Sequence, residues 1–321
     1  MEQGLTTSNG SSRDRLITAI LDFLGCEDLL SRADITTALE NEIDQAGPAA
    51  VLALRARLTA DNGWDYYPCD PLARRIHQRL AGRFLKPDSQ LLGTEHLAHV
   101  GDGPVIIFAN HLSYADANVI EVLLQRSGEV ALANRLTAVA GPKVYSNRER
   151  RFSSLCFGTI KVPQSADVAS DEAVLNPREV ARAARRALEV ARARRDAGDA
   201  LLLFGEGTRS RTGGMQPMLT GVGRYLDTGD TWVVPAGLVG PEQLFPVDGS
   251  ELRPARVVLR FGCPIAAERL RTQARGDRRI VMDAIGLAIA ELVPPPYRGV
   301  YASVAAFPEA NAVLASSRPM A

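Results

Sequence analysis

The fold can be read most directly from residues 105–125, VIIFANHLSYADANVIEVLLQ. Its first five residues form a continuous apolar run, which predicts a buried strand, and its last ten carry apolar side chains at helical spacing. A short, mostly polar connection separates the two. A buried strand followed directly by a helix is the repeating unit of parallel sheets that are covered on both faces.

The same alternation continues along most of the chain. The pattern predicts strands at 104–109, 129–133, 158–162, 200–204, 231–236 and 255–261. It predicts helices at 116–126, 178–197, 215–227 and 277–292. Residues 13–88 instead show helical spacing and no clear strand. We therefore predict an α/β fold, with a mostly parallel central sheet flanked by helices and a small N-terminal helical domain.

The change of pattern near residue 88 divides the chain. We expect a disordered tail at 1–12, an N-terminal helical domain at 13–88, a candidate catalytic domain at 89–300 and a C-terminal tail at 301–321. One helix, which begins at Pro71, carries an apolar stripe flanked by arginines. Such a helix either lies on an anionic membrane surface or packs on the rest of the protein, and we favour packing.

Composition excludes several classes of protein. Of 321 residues, 37 are Lys or Arg and 37 are Asp or Glu, so the basic excess typical of nucleic-acid binders is absent. The four cysteines are scattered and form no C-x-x-C pair, which argues against a disulfide framework and against a metal site. The N-terminus does not resemble a signal peptide, and no apolar stretch reaches the roughly 18 residues of a membrane span. We expect a cytoplasmic protein that is soluble or peripheral at the membrane surface.

His111 and Asp116 are the first candidates for catalysis. His111 lies just beyond the predicted strand and Asp116 lies at the start of the helix. Ligands of α/β proteins bind at the carboxyl ends of parallel strands, where this connection is expected. An Asp that bonds to the imidazole can fix its tautomer and support the imidazolium when the His accepts a proton. Alternatively, Asp116 only caps the helix and His111 is an ordinary loop residue.

A second candidate segment is FGEGTRSRTG, residues 204–213, which follows the apolar run ALLLF. The glycines on either side of Glu206 allow close approach of a backbone to a ligand. Arg209 and Arg211 supply planar guanidinium groups suited to phosphate or carboxylate. Alternatively, the segment is a solvated turn in which Glu206 pairs with one of the arginines.

Together, the two segments resemble conserved blocks of the glycerolipid acyltransferase superfamily, which includes glycerol-3-phosphate and lysophosphatidic acid acyltransferases. NHLSYAD at 110–116 is similar to the N-H-x-S-x-x-D block, and FGEGTRS at 204–210 is similar to the F-P-E-G-T-R-S block. VVPAGL at 233–238 looks like a further block, a hydrophobic strand that contains a proline. The resemblance runs from about residue 90 to residue 300 and keeps the order of the blocks.

The resemblance implies a reaction and roles for individual residues. His111 would be the general base that deprotonates an acceptor hydroxyl, and Asp116 would orient it. The hydroxyl would attack the thioester of acyl-CoA or acyl carrier protein, with no metal and no cofactor besides this co-substrate. The basic helix 178–197 could then meet an acidic carrier or the CoA phosphates, or simply be solvated. Residues expected to bind the acceptor and its phosphate are Glu206, Gly207, Thr208, Arg209, Arg211 and Lys161.

The sequence departs from the family pattern in three places. Gly205 replaces the usual proline, which should loosen the turn. The spacing from His111 to Glu206 is longer than in compact members, and we expect the extra length in a polar loop at 164–178 that could form a lid. The second block usually ends in an arginine that holds phosphate. Its best match runs from Gly158 to Gln164, and a competing match is GPKVYSNR at 141–148.

Gln164 in place of the arginine leaves the acceptor open. Either the remaining cations hold a phosphate on glycerol-3-phosphate or a lysophospholipid, or the acceptor is a different molecule of a specialised biosynthetic pathway. A third hypothesis keeps the fold and changes the reaction to thioester hydrolysis or to carrier binding without catalysis.

Overall fold

The computed structural model describes residues 12–23, 29–60, 65–101, 103–145, 148–163, 177–227, 229–244 and 253–318. Its strands are β1 (Tyr66–Tyr67), β2 (Gln90–Leu92), β3 (Val105–Ala109), β4 (Leu136–Ala140), β5 (Gly158–Lys161), β6 (Ala200–Phe204), β7 (Trp232–Val239), β8 (Val258–Phe261) and β9 (Ile265–Ala266). Its α-helices are α1 (Ser12–Phe23), α2 (Leu29–Thr59), α3 (Pro71–Phe84), α4 (Asp116–Arg126), α5 (Val130–Asn134), α6 (Pro142–Tyr145), α7 (Arg148–Leu155), α8 (Pro177–Asp196), α9 (Pro241–Leu244), α10 (Ala267–Gln273), α11 (Arg278–Ala290) and α12 (Pro308–Ser317).

The strands form one nine-stranded sheet in the order β1-β5-β4-β6-β3-β7-β8-β2, with β9 paired to β7. The five strands at its centre are parallel: β3 pairs with β6 and β7, and β4 pairs with β5 and β6. Among the described residues, antiparallel pairs join β1 to β5, β7 to β8, and β7 to β9. The mixed α/β fold with a mostly parallel central sheet, predicted from the sequence, is confirmed.

Helices cover both faces of the sheet, which explains why its central strands are apolar at every position. Because side chains alternate along a strand, Ile107 points to one face while Ile106 and Phe108 point to the other. The first face is packed by helices α1, α2, α3, α4 and α7. The second face is packed by helices α8, α10, α11 and α12. Because both faces are covered, we expect the functional site at one end of the strands, where they lead into loops.

Two predicted elements are wrong. Residues 129–133 are not a strand, because α5 occupies Val130–Asn134 and the strand follows at Leu136–Ala140. Short apolar runs do not distinguish a strand from a buried helical turn. Residues 215–227 are not an α-helix; a 3₁₀ helix covers Thr220–Leu226. Gly221 and Gly223 lie within this segment and disfavour an α-helix.

The N-terminal helices pack directly on the sheet. Leu72, Ile76 and Leu80 of α3 are buried, so the apolar stripe of this helix packs within the protein, as favoured from the sequence. The segment also contributes a strand that the sequence did not predict, since β1 pairs with β5. None of the helices in the described part of the chain is long and apolar enough to cross a membrane.

The C-terminal residues differ from the predicted tail. Tyr301 is almost fully buried, and α12 packs against α10 and α11. Buried apolar side chains at Val313 and Leu314 hold this helix to the protein. At the other terminus, residues 1–11 of the predicted disordered tail lie outside the described residues.

Candidate active site

His111 and Asp116 form a hydrogen-bonded pair at the carboxyl end of the central strand β3. The His111 Nδ1–H donates to Asp116 Oδ2 over 2.8 Å, and the Asp116 side chain is fully buried. The same oxygen accepts the backbone N–H groups of Leu112 at 2.7 Å and Ser113 at 3.0 Å. Because a carboxylate only accepts, the proton of the ring resides on Nδ1 and the Nε2 lone pair is left for a substrate.

The imidazole lies at the rim of a large cavity. Its ring stacks on that of Phe204, with 4.3 Å between centroids and 22° between planes. The His111 side chain is 17% exposed, and it lines a cavity of about 1040 Å³. The sequence did not single out Phe204 as a partner, although it is the last residue of strand β6, adjacent to β3. Two neighbouring strand ends thus fix the orientation of the general-base candidate.

Glu206 joins the two candidate segments. Its Oε1 accepts the backbone N–H of His111 at 2.8 Å, and its Oε2 accepts the backbone N–H of Gln216 at 2.6 Å. The backbone N–H of Ser210 donates in turn to the His111 carbonyl at 2.7 Å. Both carboxylate oxygens are therefore bonded to the protein's own backbone, and Glu206 holds the His111 backbone in place.

Burial changes the chemistry of this carboxyl group. Desolvation raises the pKa of Glu206 from the ordinary 4.5 to about 7. The hydrogen bonds from Gln216 and His111 oppose this rise because they stabilise the charged form. Glu206, which links the backbones of His111 and Gln216, therefore has a pKa near neutral pH.

The glycines beside Glu206 make room for the protein's own loop. A Cβ on Gly205 would lie 2.4 Å from Met218 Sδ, and a Cβ on Gly207 would lie 2.2 Å from Leu219 Cδ1. The carbonyl of Gly205 accepts the N–H of Leu219 at 2.8 Å, and the expectation that glycine in place of proline loosens the turn stays a prediction. Gly207 also has a left-handed φ of +70°, which suits glycine.

Basic side chains collect at one end of the cavity. The Arg209 guanidinium lies 4.1 Å from the centre of the Tyr114 ring, so a cation–π contact orients it. Arg211 and Thr208 are exposed and line the same end. Arg224 also lines the cavity and was not predicted, because it lies in a segment that the sequence presented as an ordinary helix. This end of the cavity is suited to an anion.

Lys161 is not among the residues that line the cavity. Its side chain is buried, and its ammonium lies 4.3 Å from the centre of the Tyr67 ring and 5.7 Å from that of Tyr145. Gly158 packs against Thr137, whose Oγ1 would lie 2.1 Å from a Cβ there. The structure therefore brings neither residue to His111, and Gln164 lies outside the described residues.

The cavity joins these parts. Besides His111 and the arginines, apolar side chains from strands β4 and β6 and from helix α8 line it. Residues on its wall that the sequence did not indicate include Tyr114, Asn118, Ser153, Gln216, Arg224 and Tyr225. Tyr114 lies inside the 110–116 block, at a position where the block accepts any residue, and the others lie outside both candidate segments. The cavity therefore offers binding groups for an apolar chain and for an anion, and a candidate base, within one space.

Comparison with known proteins identifies a family for the part of the chain that carries these residues. A family model described as Acyltransferase matches residues 89–239. This domain belongs to the acyltransferase family. The matched residues include the His111–Asp116 pair and the Glu206–Arg209 segment. The rest of the chain extends the acyltransferase domain at both ends.

Among solved structures, the chain aligns with a 1-acyl-sn-glycerophosphate (LPA) acyltransferase from Thermotoga maritima. The alignment has a TM-score of 0.46 and 17% sequence identity, and it covers 88% of this chain and 98% of that chain. Among curated proteins, none matches the chain significantly.

Proposed function

We propose that this acyltransferase moves an acyl group from a thioester to a hydroxyl group of glycerol-3-phosphate or a lysophospholipid. The donor is acyl-CoA or acyl carrier protein. The observation that carries the proposal is the His111–Asp116 pair at the rim of a cavity with apolar walls and an arginine end. A cytoplasmic location, at the membrane surface or away from it, remains part of this proposal.

In this reaction His111 acts as general base. Its Nε2 accepts the proton of the acceptor hydroxyl while the hydroxyl oxygen attacks the thioester carbonyl carbon. Asp116 stabilises the imidazolium through the Nδ1–H bond. The tetrahedral intermediate then collapses, the C–S bond breaks, and the imidazolium returns the proton to the departing thiolate. No acyl-enzyme forms along this path.

The arginine end of the cavity supports a phosphorylated acceptor. Arg209 and Arg211 present donors suited to phosphate oxygens, and the Tyr114 ring limits the freedom of Arg209. The alternative, an acceptor without phosphate, is favoured by the position of Lys161 away from the cavity. One expected phosphate ligand is therefore not available.

Replacement of His111 tests the reaction. His111→Ala should lower acyl transfer by at least about 10²-fold, the low end for general-base catalysis, with unfolding unchanged. His99→Ala is the matched control, because His99 is exposed on a different segment. A near-normal rate in folded His111→Ala protein would refute the mechanism. Release of thiol without acylated product, for every acceptor tried, would favour the hydrolase hypothesis instead.

Replacement of the arginines tests the acceptor. Arg209→Gln and Arg211→Gln should each raise the KM for glycerol-3-phosphate by about tenfold or more, because each removes a charge-assisted hydrogen bond. Arg182→Gln serves as the control, since this exposed residue of helix α8 does not line the cavity. Unchanged KM values in all three variants would favour the acceptor without phosphate.

A further inference from the structure

The cavity extends over both faces of the sheet. Ala138 of β4 and Thr159 of β5 are register partners and point to the face covered by α4 and α7. Val139 and Val162 point to the opposite face, which is covered by α8. All four side chains line the cavity. It therefore has two lobes, one on each side of the strand ends.

The lobe on the α8 side is mostly apolar. Its walls include the strand residues Val139, Val162 and Leu203 together with Ala184 and Leu188 of α8, none of which provides a hydrogen-bonding group. Tyr225, which packs on the same face, also lines the cavity. An unsubstituted acyl chain fits along the aliphatic walls, because burial of hydrocarbon against hydrocarbon is favourable.

The lobe on the His111 side is different. It contains Asn118 of α4, Ser153 of α7 and Thr159 of β5. The Ser153 hydroxyl donates to Asn118 Oδ1 at 2.5 Å, and the Thr159 hydroxyl donates to the Ser154 carbonyl at 2.8 Å. The hydroxyl protons are thus used within the protein. The Asn118 amide nitrogen keeps its N–H donors, and no acceptor for them is found among the residues that the structure describes.

The position of Asn118 is well defined. The backbone carbonyl of Asn118 lies 3.2 Å from Nε2 of His77 on helix α3, and that Nε2 lies 3.3 Å from Glu121 Oε2. These contacts place the α4 backbone that carries Asn118. Ser153 of helix α7 bonds to the side-chain oxygen and so orients the amide before any ligand binds, which lowers the entropic cost of recognition.

We propose that Asn118, held by Ser153, recognises a hydroxyl or carbonyl oxygen of the substrate that occupies this lobe. The inference rests on the proposed function and adds a specificity site to it. A plain hydrocarbon in this lobe would bury the amide N–H groups without an acceptor, which is unfavourable. The oxygen belongs either to a substituted acyl chain or to the acceptor molecule.

The double variant Asn118→Leu with Ser153→Ala tests the site. Replacing both partners leaves neither with an unsatisfied group, so the protein should fold normally. The matched control is Asn311→Leu with Ser316→Ala, the same exchanges at exposed positions of helix α12. Thermal unfolding of all three proteins checks the fold. A destabilised double variant is replaced by Asn118→Leu alone.

Two pairs of substrates separate the sources of the oxygen. The first pair is an unsubstituted acyl-CoA and the 3-hydroxyacyl-CoA of the same chain length, with one acceptor. The second pair is glycerol-3-phosphate and lysophosphatidic acid, with the unsubstituted donor. The oxygen-rich members are the 3-hydroxyacyl-CoA, with its additional hydroxyl, and lysophosphatidic acid, with its ester carbonyl. We expect the double variant to lose about tenfold or more in kcat/KM for one of these two substrates, since an unpaired polar group discriminates strongly. The other substrates should change by less than about threefold.

The pair in which the loss occurs identifies the source of the oxygen. Equal losses for every substrate, or no loss for any, would overturn the inference. Calorimetric titration of the protein with the same four molecules gives a readout without turnover. If the wild type transfers no acyl group, the proposed function fails. The specificity site then still stands if one oxygen-rich ligand binds the double variant about tenfold more weakly, and falls if all four bind both proteins equally.

Discussion

At the scale of single residues, one carboxylate oxygen organises the candidate base. Asp116 Oδ2 accepts the imidazole N–H and two backbone N–H groups. It therefore holds both the His111 ring and the backbone of the connection that carries it. The catalytic and the structural contributions of Asp116 can be separated, because an amide and a methyl group remove different parts of this arrangement.

Asp116→Asn should lower the rate of acyl transfer by about 10²- to 10⁴-fold, because a neutral amide cannot stabilise the imidazolium as a carboxylate does. Its remaining oxygen can still accept the Leu112 and Ser113 N–H groups. Asp116→Ala removes that acceptor as well and should cost a further 1–3 kcal/mol, approximately, for each buried donor left unsatisfied. Steady-state rates and urea unfolding of both variants give the comparison. Equal stability of the two would contradict this division of roles.

Glu206 makes a prediction about pH. Its pKa is raised by burial from 4.5 to about 7, so between these values the folded protein holds a proton that the unfolded chain has released. Its contribution to stability is therefore fully present below pH 4.5 and is lost as the pH rises through 7. The full loss is about 3 kcal/mol. Glu206→Gln cannot ionise and should not show it.

Urea unfolding of wild type and Glu206→Gln across this pH range is the measurement. The stability of the wild type relative to the variant should fall as the pH rises. A difference that grows with pH would mean that the hydrogen bonds from His111 and Gln216 outweigh desolvation.

The sequence predicts the proximity of His111 and Asp116 because the pair spans a single strand–helix connection. Residues close in the sequence set the geometry of this pair, and the same holds for Arg209 and Arg211. Lys161 is different, because its position depends on strand alternation and on Tyr67 and Tyr145, which are distant in the chain. Asn118 and Ser153 could not be predicted at all, since only the packing of α4 against α7 brings them together.

At the scale of elements, the central strands were the most predictable. The predicted strands at 104–109 and 200–204 agree closely with β3 and β6, because burial on both faces leaves a continuous apolar run. The short edge strands β1, β2 and β9 carry no such signal. The prediction at 129–133 failed because a buried turn of helix α5 shows the same short apolar pattern as a strand.

Gly158 tests the packing of the sheet. A Cβ at this position would lie 2.1 Å from Thr137 Oγ1, which is fixed by a 2.6 Å hydrogen bond to Asp199. We expect Gly158→Ala to lower the free energy of unfolding by about 1–3 kcal/mol through overpacking. Gly141→Ala is the control, because a Cβ there meets nothing within 4 Å. Equal effects of the two changes in chemical denaturation would contradict the argument.

At the scale of the whole molecule, both ends of the chain support the site. The N-terminal helix α3 contacts α4, which carries Asp116, through Gln78 and His77. The C-terminal segment bonds to the loop that follows Glu206: the Met215 N–H donates to the Tyr297 carbonyl at 2.9 Å. Since these contacts link residues far apart in sequence, the site depends on parts of the chain that carry no catalytic motif.

Tyr301 provides a further link of this kind, through two hydrogen bonds. Its hydroxyl accepts the Met218 N–H at 3.0 Å and donates to Asp283 Oδ1 at 2.9 Å, in a buried setting. Tyr301→Phe leaves both partners unsatisfied and should cost about 1–3 kcal/mol of stability. Because Met218 belongs to the loop that bonds to Glu206, acyl transfer should also fall, by several-fold.

Tyr297→Phe is the control for Tyr301→Phe. It removes a hydroxyl that donates to Glu242 at 2.6 Å, while the Tyr297 carbonyl keeps its bond to the loop. Stability should fall in this variant, because it also loses a hydrogen bond, but acyl transfer should stay close to the wild-type rate. Differential scanning calorimetry and initial rates on the same preparations separate the two effects. If Tyr301→Phe loses stability but keeps full activity, the C-terminal segment stabilises the fold without positioning the loop beside His111.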